Sequence, residues 1–440
     1  MSDNQDFVGW FRQAAPYIHA HRGRTFVVQV SGDVVAAENF AHLIHDLALL
    51  NSLAIKLVVV FGARPQIDQL LKDRNIVPEY SGSLRVTSES SMSSVKQAIG
   101  DIKIQIEALL SMGLPNSPMA ESHINVASGN YVIGRPLGVM NGVDLQMTGR
   151  VRKVNREMIT ARLAAGDIVI IPPLGYSRTG EVFNLSSFEV AANVAMEINA
   201  DKLIMVGNQA VVQDEQGNTI KQLTCDQAQA ILESDARSHV GENPATALAQ
   251  GIVACESGVK RVHYIEQQVD GGLLMELFSR DGVGTLLSNL PFDSIHKASV
   301  SDIGGILELI QPLEEQGVLV KRSREKIEVE INDYIVLERD GTVIACAALH
   351  NYPDEKVVEL ACLAVLPAYQ KQSMGDTLLQ FAEKQARDKG AESLITLTTQ
   401  TEHWFIEKGF KPVDLQKLPV SKQEMYNFQR NSKAFIKQLV

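Results

Sequence analysis

The chain is predicted to be an α/β protein in two unequal parts: a parallel-sheet sandwich over residues 1–290 and a smaller mixed α/β domain over 291–440. Three observations predict this. Strand-length apolar runs such as LVVV at 57–60 and IVII at 168–171 alternate with amphipathic helical stretches, the pattern of a parallel sheet covered on both faces. The run LSNLPFDSIHKAS at 287–299 carries Pro291 and few helix formers, and it separates two self-consistent halves. Beyond it, strands fall both before and after a central helix, which requires a mixed sheet.

The elements follow in order. Phe7, Trp10, Phe11, Ala14 and Ile18 recur at helical spacing, so residues 7–20 form an amphipathic helix. Strand 25–32 (TFVVQVSG), helix 40–51, strand 56–62 (KLVVVFG) and helix 65–73 come next. Strand 167–175 (DIVIIPPLG), helix 186–199 and strands 202–208 and 261–265 continue the alternation. Residues 211–223 read as a hairpin around Gln216-Gly217-Asn218. In the second part, helices at 300–311 and 322–329 precede strands DYIVLER and GTVIACAAL around an Asp340-Gly341 turn. Strand VVELACLAV, helix 376–389, strand SLITLTT, helix 402–408 and a strand-rich tail complete it.

Bulk properties exclude several classes. With 440 residues, 45% apolar and 21% charged, the composition is that of an ordinary globular protein. A formal net charge of −11 with no basic run argues against nucleic acid or an anionic membrane as partner. Cys225, Cys255, Cys346 and Cys362 are scattered without a CxxC pair, which fits a reducing cytoplasm and gives no metal-ligand pattern. No apolar run approaches the roughly 20 residues a membrane helix needs, and the acidic start MSDNQDFVGWF is unlike a signal peptide.

The most informative segment is ELACLAVLPAYQKQSMGDTLL, from Glu359 to Leu379. A carboxylate opens an apolar strand; a Pro turn and a polar loop ending in Gly375 follow, then an amphipathic helix. Backbone N–H groups and the helix dipole converge on such a loop and make an anion site. A phosphate-bearing cofactor seated there, with a carboxylate at the far end of the strand, points to acyl transfer from coenzyme A.

The segment LAVLPAYQKQSMG, with the later TTQTEHWFIEKGFKPV, resembles the GNAT acetyltransferases. Their cofactor loop is Arg or Gln, two residues, Gly, one residue, then Gly or Ala; here it is Gln370, Lys371, Gln372, Ser373, Met374, Gly375, with Ser373 in place of the first glycine. The resemblance implies that acetyl-CoA is the donor and that its pyrophosphate lies on the amides of this loop. The pantetheine arm would pair with the backbone of Cys362, Leu363, Ala364 and Val365, one of whose N–H groups would hold the thioester oxygen. Glu359 is the expected base, because an acceptor amine is protonated at neutral pH and must lose a proton to attack. The family's acid, a Tyr near the last helix, is replaced here by Phe405; Thr398 or Thr399 is the nearest hydroxyl, with Thr398 favoured. No covalent intermediate and no metal are required, and Cys362 reads as a small core residue.

The first part resembles the amino-acid kinases, and acetylglutamate kinase in particular, through VVQVSGD, VVVFGARPQI, LRVT and RVHYIEQQVDGGLLMELFSRDGVGT. Gln29 stands where active kinases carry a Lys. Phe61-Gly62-Ala63-Arg64 replaces the glycine-rich turn, and Leu185-Ser186-Ser187-Phe188 the acidic segment. Phosphoryl transfer therefore lacks its charge clamp, although retained Arg85 could still hold a glutamate-like ligand. A disabled kinase followed by an acetyltransferase is similar to the bacterial N-acetylglutamate synthases, as are ELACLAV, HWFIEKGF and LPVSKQEMYNFQRNSK. That resemblance implies L-glutamate as acceptor, the first step of arginine synthesis, with Arg322 and Arg430 as bidentate partners of its carboxylates and Lys321 and Arg324 as weaker candidates. It also implies L-arginine as effector, held by His263, Glu276 and Gly284 with Tyr17 and Lys202, and a homohexamer interlaced by the N-terminal helix. Two other readings stand beside this one: a working kinase with an accessory acetyltransferase, and an amino-acid sensor whose acetyltransferase is inactive. Gln29 and the altered turn oppose the first, Glu359 and Gly375 the second.

Overall fold

The computed structural model describes residues 2–439 apart from 83, 113–123, 209, 215, 235–241, 290–292, 371–373 and 425–431. It divides into two compact units, Met1–Pro291 and Phe292–Val440. The expected fold class holds in both.

The first unit is built on an eight-stranded sheet in the order Gln222–Thr224, Thr285–Ser288, Arg261–Glu266, Lys202–Gly207, Thr25–Val30, Lys56–Phe61, Ile168–Ile171, Val126–Ser128. Every pair is parallel except Thr285–Ser288 with Arg261–Glu266. The continuous apolar runs have a direct structural reason. Successive residues point to opposite faces of the sheet, and both faces are buried. Val27, Val58, Val60, Val169 and Leu203 enter one core with the Ala-rich helix Ser187–Glu197. Their neighbours Val28, Val59, Phe61, Ile170 and Ile204 enter the other, with helices Phe40–Ser52 and Glu89–Ser111.

The second unit holds a seven-stranded sheet: Asp293–Lys297, Tyr334–Arg339, Thr342–Tyr352, Val357–Val365, Ser393–Thr398, Lys433–Gln438, Lys411–Pro412. All pairs are antiparallel except Val357–Val365 with Ser393–Thr398. Helix Ile303–Glu315 covers one face and helix Met374–Asp388 the other.

Two expectations are corrected, and two segments carry more structure than expected. The run 167–175 is not one strand: Pro172-Pro173 splits it into Ile168–Ile171 and Leu174–Tyr176, which belong to different sheets. The 211–223 hairpin holds over 212–220, where Gln213 bridges Thr219 and the N–H groups of Asp214 and Ile220 donate to the carbonyls of Asn218 and Val212, but Gln222–Thr224 joins the large sheet instead. The run 287–299 contains the edge strand Asp293–Lys297. The tail contains the helix Val420–Glu424 as well as strands.

Candidate functional site

The strand Val357–Val365 carries the expected base. It pairs with Thr342–Tyr352 along its length, but with Ser393–Thr398 only at Val357, Val358 and Glu359. Past Glu359 these two strands part, and the edge of residues 360–365 on that side has no strand partner among the described residues. The register with Thr342–Tyr352 also shifts there, and Cys362 adopts φ 52°, in the left-handed region that a non-glycine residue enters only under local constraint. An exposed ladder edge beside a bulge is what an extended amide-bearing ligand can pair with as an added strand.

Glu359 is 2% exposed. Its two oxygens have separate partners: Tyr352 donates its hydroxyl to Oε2 at 3.2 Å, and the Lys422 ammonium lies 2.7 Å from Oε1. Burial, and then the charge of Glu359, raise the Tyr352 phenol above its ordinary pKa, so it stays a donor. Tyr352 reaches Glu359 across the hairpin, where it is in register with Val357. Lys422 sits on helix Val420–Glu424, anchored through Leu418, which packs with Val357 and Ile395. Sequence reading missed both residues. Extending the strand past Leu349 would have found Tyr352; Lys422 lies in the segment LPVSKQEMYNFQRNSK, but nothing there gives that lysine a role.

The other expected residues fall as follows. Thr398 ends its strand, and its Oγ1 accepts the N–H groups of Gln400 (3.3 Å) and Thr401 (3.1 Å) and pairs with Thr401 Oγ1 at 2.9 Å. Phe405 is core, edge-on to Phe410. Gly375 lies in the first turn of helix Met374–Asp388 rather than in the loop; a Cβ there would meet Trp404 Cζ2 at 3.2 Å, so Trp404 sets its size. Gln370 donates to the Val365 carbonyl at 3.3 Å. Lys371, Gln372, Ser373 and Arg430 lie outside the described residues. Arg322 is half-buried; burial works against its charge, but nearby Cys362, Tyr334, Glu330 and Glu314 hold its pKa up. It therefore stands near the Cys362 bulge.

In the first unit, Lys202, His263, Glu276 and Gly284 form one buried chain. Lys202 Nζ is 3.1 Å from His263 Nε2, and His263 Nδ1 is 2.7 Å from Glu276 Oε1. Glu276 Oε2 accepts the N–H groups of Val283 and Gly284 at 2.7 and 2.8 Å. Two glycines permit this wrap. A Cβ on Gly282 (φ +57°) would strike that carboxylate, and one on Gly284 would lie 2.1 Å from the Tyr264 carbonyl oxygen. Tyr17 is half-buried on helix Ser2–His21, one turn from His21, whose Nε2 lies 2.8 Å from the Leu277 carbonyl oxygen. Burial, then the Lys202 charge, push His263 down to about 4, while the hydrogen bonds from His263, Gly284 and Val283 outweigh burial and hold Glu276 below its ordinary value. A neutral imidazole thus bridges a buried cation and a buried anion.

This has a consequence for stability. The unfolded imidazole, titrating near 6.5, takes up a proton that native His263, near 4, refuses. The contribution is complete above pH 6.5 and is lost as pH falls toward 4, on the order of 3 kcal/mol in all. Denaturant unfolding of wild type and His263→Gln between pH 7.5 and 4 should show a steeper acid loss in wild type; parallel curves would contradict it.

The same unit holds a cavity of about 420 Å³ bordered by Ser31, Gly62, Arg64, Arg85, Arg150 and Ser187. Gln29 is fully buried and donates to Ser187 Oγ at 3.1 Å, and Arg85 is paired with Asp68 at 2.5 Å.

A strand that parts from its parallel neighbour beside a buried carboxylate, on a unit separate from a parallel-sheet sandwich, defines an acetyltransferase joined to a kinase-type domain. Residues 24–263 match the amino acid kinase family and residues 305–405 the acetyltransferase (GNAT) family. The chain is 47% identical over 435 residues to an amino-acid acetyltransferase of Enterobacter sp. (strain 638), covering 99% of this chain and 98% of the relative. It is likewise 47% identical to one from Yersinia pseudotuberculosis, covering 99% of each. Among solved structures it matches N-acetylglutamate synthase from Neisseria gonorrhoeae complexed with coenzyme A and L-arginine (TM-score 0.88, 35% identity, 98% of this chain and 99% of that one). It also matches the same enzyme complexed with coenzyme A and N-acetyl-glutamate (TM-score 0.63, 36% identity, 99% of each). The chain belongs to the amino-acid acetyltransferase family, the bacterial N-acetylglutamate synthases. It is an amino-acid N-acetyltransferase with acetyl-CoA as its donor.

Proposed function

We propose that this chain transfers the acetyl group of acetyl-CoA directly to the amine of L-glutamate, the first step of arginine synthesis, and that L-arginine inhibits it through the first unit. The observation that carries the reading is the buried Glu359 carboxylate at the point where strands Val357–Val365 and Ser393–Thr398 part. The pantetheine arm lies along the open edge of Cys362–Val365, and the cofactor pyrophosphate on the loop before helix Met374–Asp388. Glu359 takes a proton from the glutamate ammonium; the amine attacks the thioester carbon, and a strand N–H holds the developing oxyanion. The thiolate leaves and is protonated by Thr398, whose Oγ1 is made a better donor by the two N–H groups it accepts; the second proton shed by the nitrogen as the amide forms restores the Thr398 hydroxyl, and the proton on Glu359 passes to solvent. Arg322 and Arg430 hold the glutamate carboxylates.

Arginine is a ligand of matching charge for the buried Glu276 end of the first unit, with Lys202 for its carboxylate and Tyr17 closing the site. The enzyme works in the cytoplasm as a homo-oligomer, a hexamer by family resemblance. Supporting this, Phe7, Trp10 and Phe11 on the N-terminal helix are 63%, 50% and 51% exposed, an apolar face suited to another subunit. The test is release of CoA with glutamate against a panel of other amines, with and without arginine. Glutamate should be strongly preferred and arginine should slow it. Equal rates with amines that carry no carboxylate would refute the assignment, and an arginine-insensitive rate would refute the regulatory part.

A further inference from the structure

Lys422 places a primary ammonium 2.7 Å from Glu359 Oε1, the distance at which an acceptor ammonium must sit to hand its proton to this base. The contact is not a surface accident. Glu359 has 3% of its side chain exposed and Lys422 23%, and helix Val420–Glu424 is held there by Leu418 and by the Val420 N–H to Glu355 Oε1, 3.4 Å. Lys422 thus presents the same reacting group as the substrate, a primary ammonium, on a flexible four-carbon stem, already hydrogen-bonded to the base and still reachable from solvent.

We propose that Lys422 is an internal acetyl acceptor, so that the enzyme charged with acetyl-CoA and lacking free amine acetylates its own Lys422. This rests on the reading of Glu359 as the base. The ammonium gives one proton to Glu359, and the freed lone pair on Nζ forms a bond to the thioester carbonyl carbon. The C–S bond breaks with its electron pair leaving on the CoA sulfur. A second proton leaves the nitrogen as the amide forms and ends on the thiolate, while the proton on Glu359 passes to solvent. The products are acetyl-Lys422, CoA and one proton. Free glutamate competes, because its ammonium and that of Lys422 claim the same carboxylate oxygen.

The test is peptide mass mapping of the full chain after timed exposure to acetyl-CoA, with glutamate-dependent CoA release measured on the same preparation. Exposed Lys356, paired with Glu392 on the surface, serves as the internal reference for uncatalysed acetylation. Lys422 should acquire a single acetyl group about a hundredfold faster than Lys356, the scale of general-base assistance. Saturating glutamate should suppress it, and Glu359→Gln should bring it to the Lys356 rate. Acetylation of Lys422 no faster than Lys356, or unaffected by glutamate and by Glu359→Gln, overturns the proposal. If glutamate-dependent CoA release proceeds in that same sample, the proposed function stands and only the internal acceptor is lost; absence of that release would instead sink the function. The comparison with Lys356 and the glutamate effect need no variant, so a poorly folded Glu359→Gln protein leaves the test intact.

Discussion

Glu359→Gln is expected to lower kcat by about 10²- to 10⁴-fold, the usual worth of a positioned base, while leaving the KM for acetyl-CoA within about twofold. Gln keeps the volume and one oxygen for the Tyr352 hydroxyl, so the packing around strand Val357–Val365 is kept, while the Lys422 ammonium, now facing an amide NH2 instead of Oε1, turns to solvent. It cannot take a proton from an ammonium. The cofactor contacts lie on other residues, at the 362–365 edge and the loop before helix Met374–Asp388, so donor binding and chemistry should separate. Steady-state CoA release against both substrates reads this directly. A rate that is unchanged across neutral pH would remove Glu359 as the base.

Glu276→Ala should weaken arginine inhibition roughly 10- to 100-fold, the range set by loss of one or two charge-assisted hydrogen bonds, and should spare glutamate acetylation. The carboxylate is the hub of the first unit's buried network, holding His263 and the amides of Val283 and Gly284. Removing it leaves Lys202, 7% exposed, facing an imidazole with no anion behind it, so this variant should also unfold at lower denaturant. Glu276→Gln, which retains one acceptor oxygen, separates the two effects: stability should recover in part, arginine response should not. Inhibition at an unchanged arginine concentration would place the effector elsewhere.

Much of this was legible in the chain because the relevant signals are local. The strands of the first unit are apolar on every residue because both faces are buried, and that pattern survives in one dimension. Glu359 stood out as a carboxylate heading an otherwise apolar run, and the loop after it by its turn chemistry. What was not legible depends on contacts across distance. Lys422 meets Glu359 only because Leu418 docks on Val357 and Ile395. Gly375, read as a loop glycine, is small because Trp404 lies against it. Pro172-Pro173 divides one apolar run between two sheets, a break that periodicity overlooks when the flanking residues are all apolar. Gly284, expected to meet a ligand, first of all supplies an N–H to Glu276.

Initial rates measured over a grid of acetyl-CoA and glutamate concentrations distinguish direct transfer of acetyl from coenzyme A to the glutamate amine from transfer through the enzyme. Direct attack needs both substrates bound together, so double-reciprocal lines should intersect and no CoA burst should precede glutamate addition beyond the single equivalent owed to Lys422. Parallel lines, the mark of an acetyl-enzyme carried between two half-reactions, or a rate indifferent to glutamate, would contradict it.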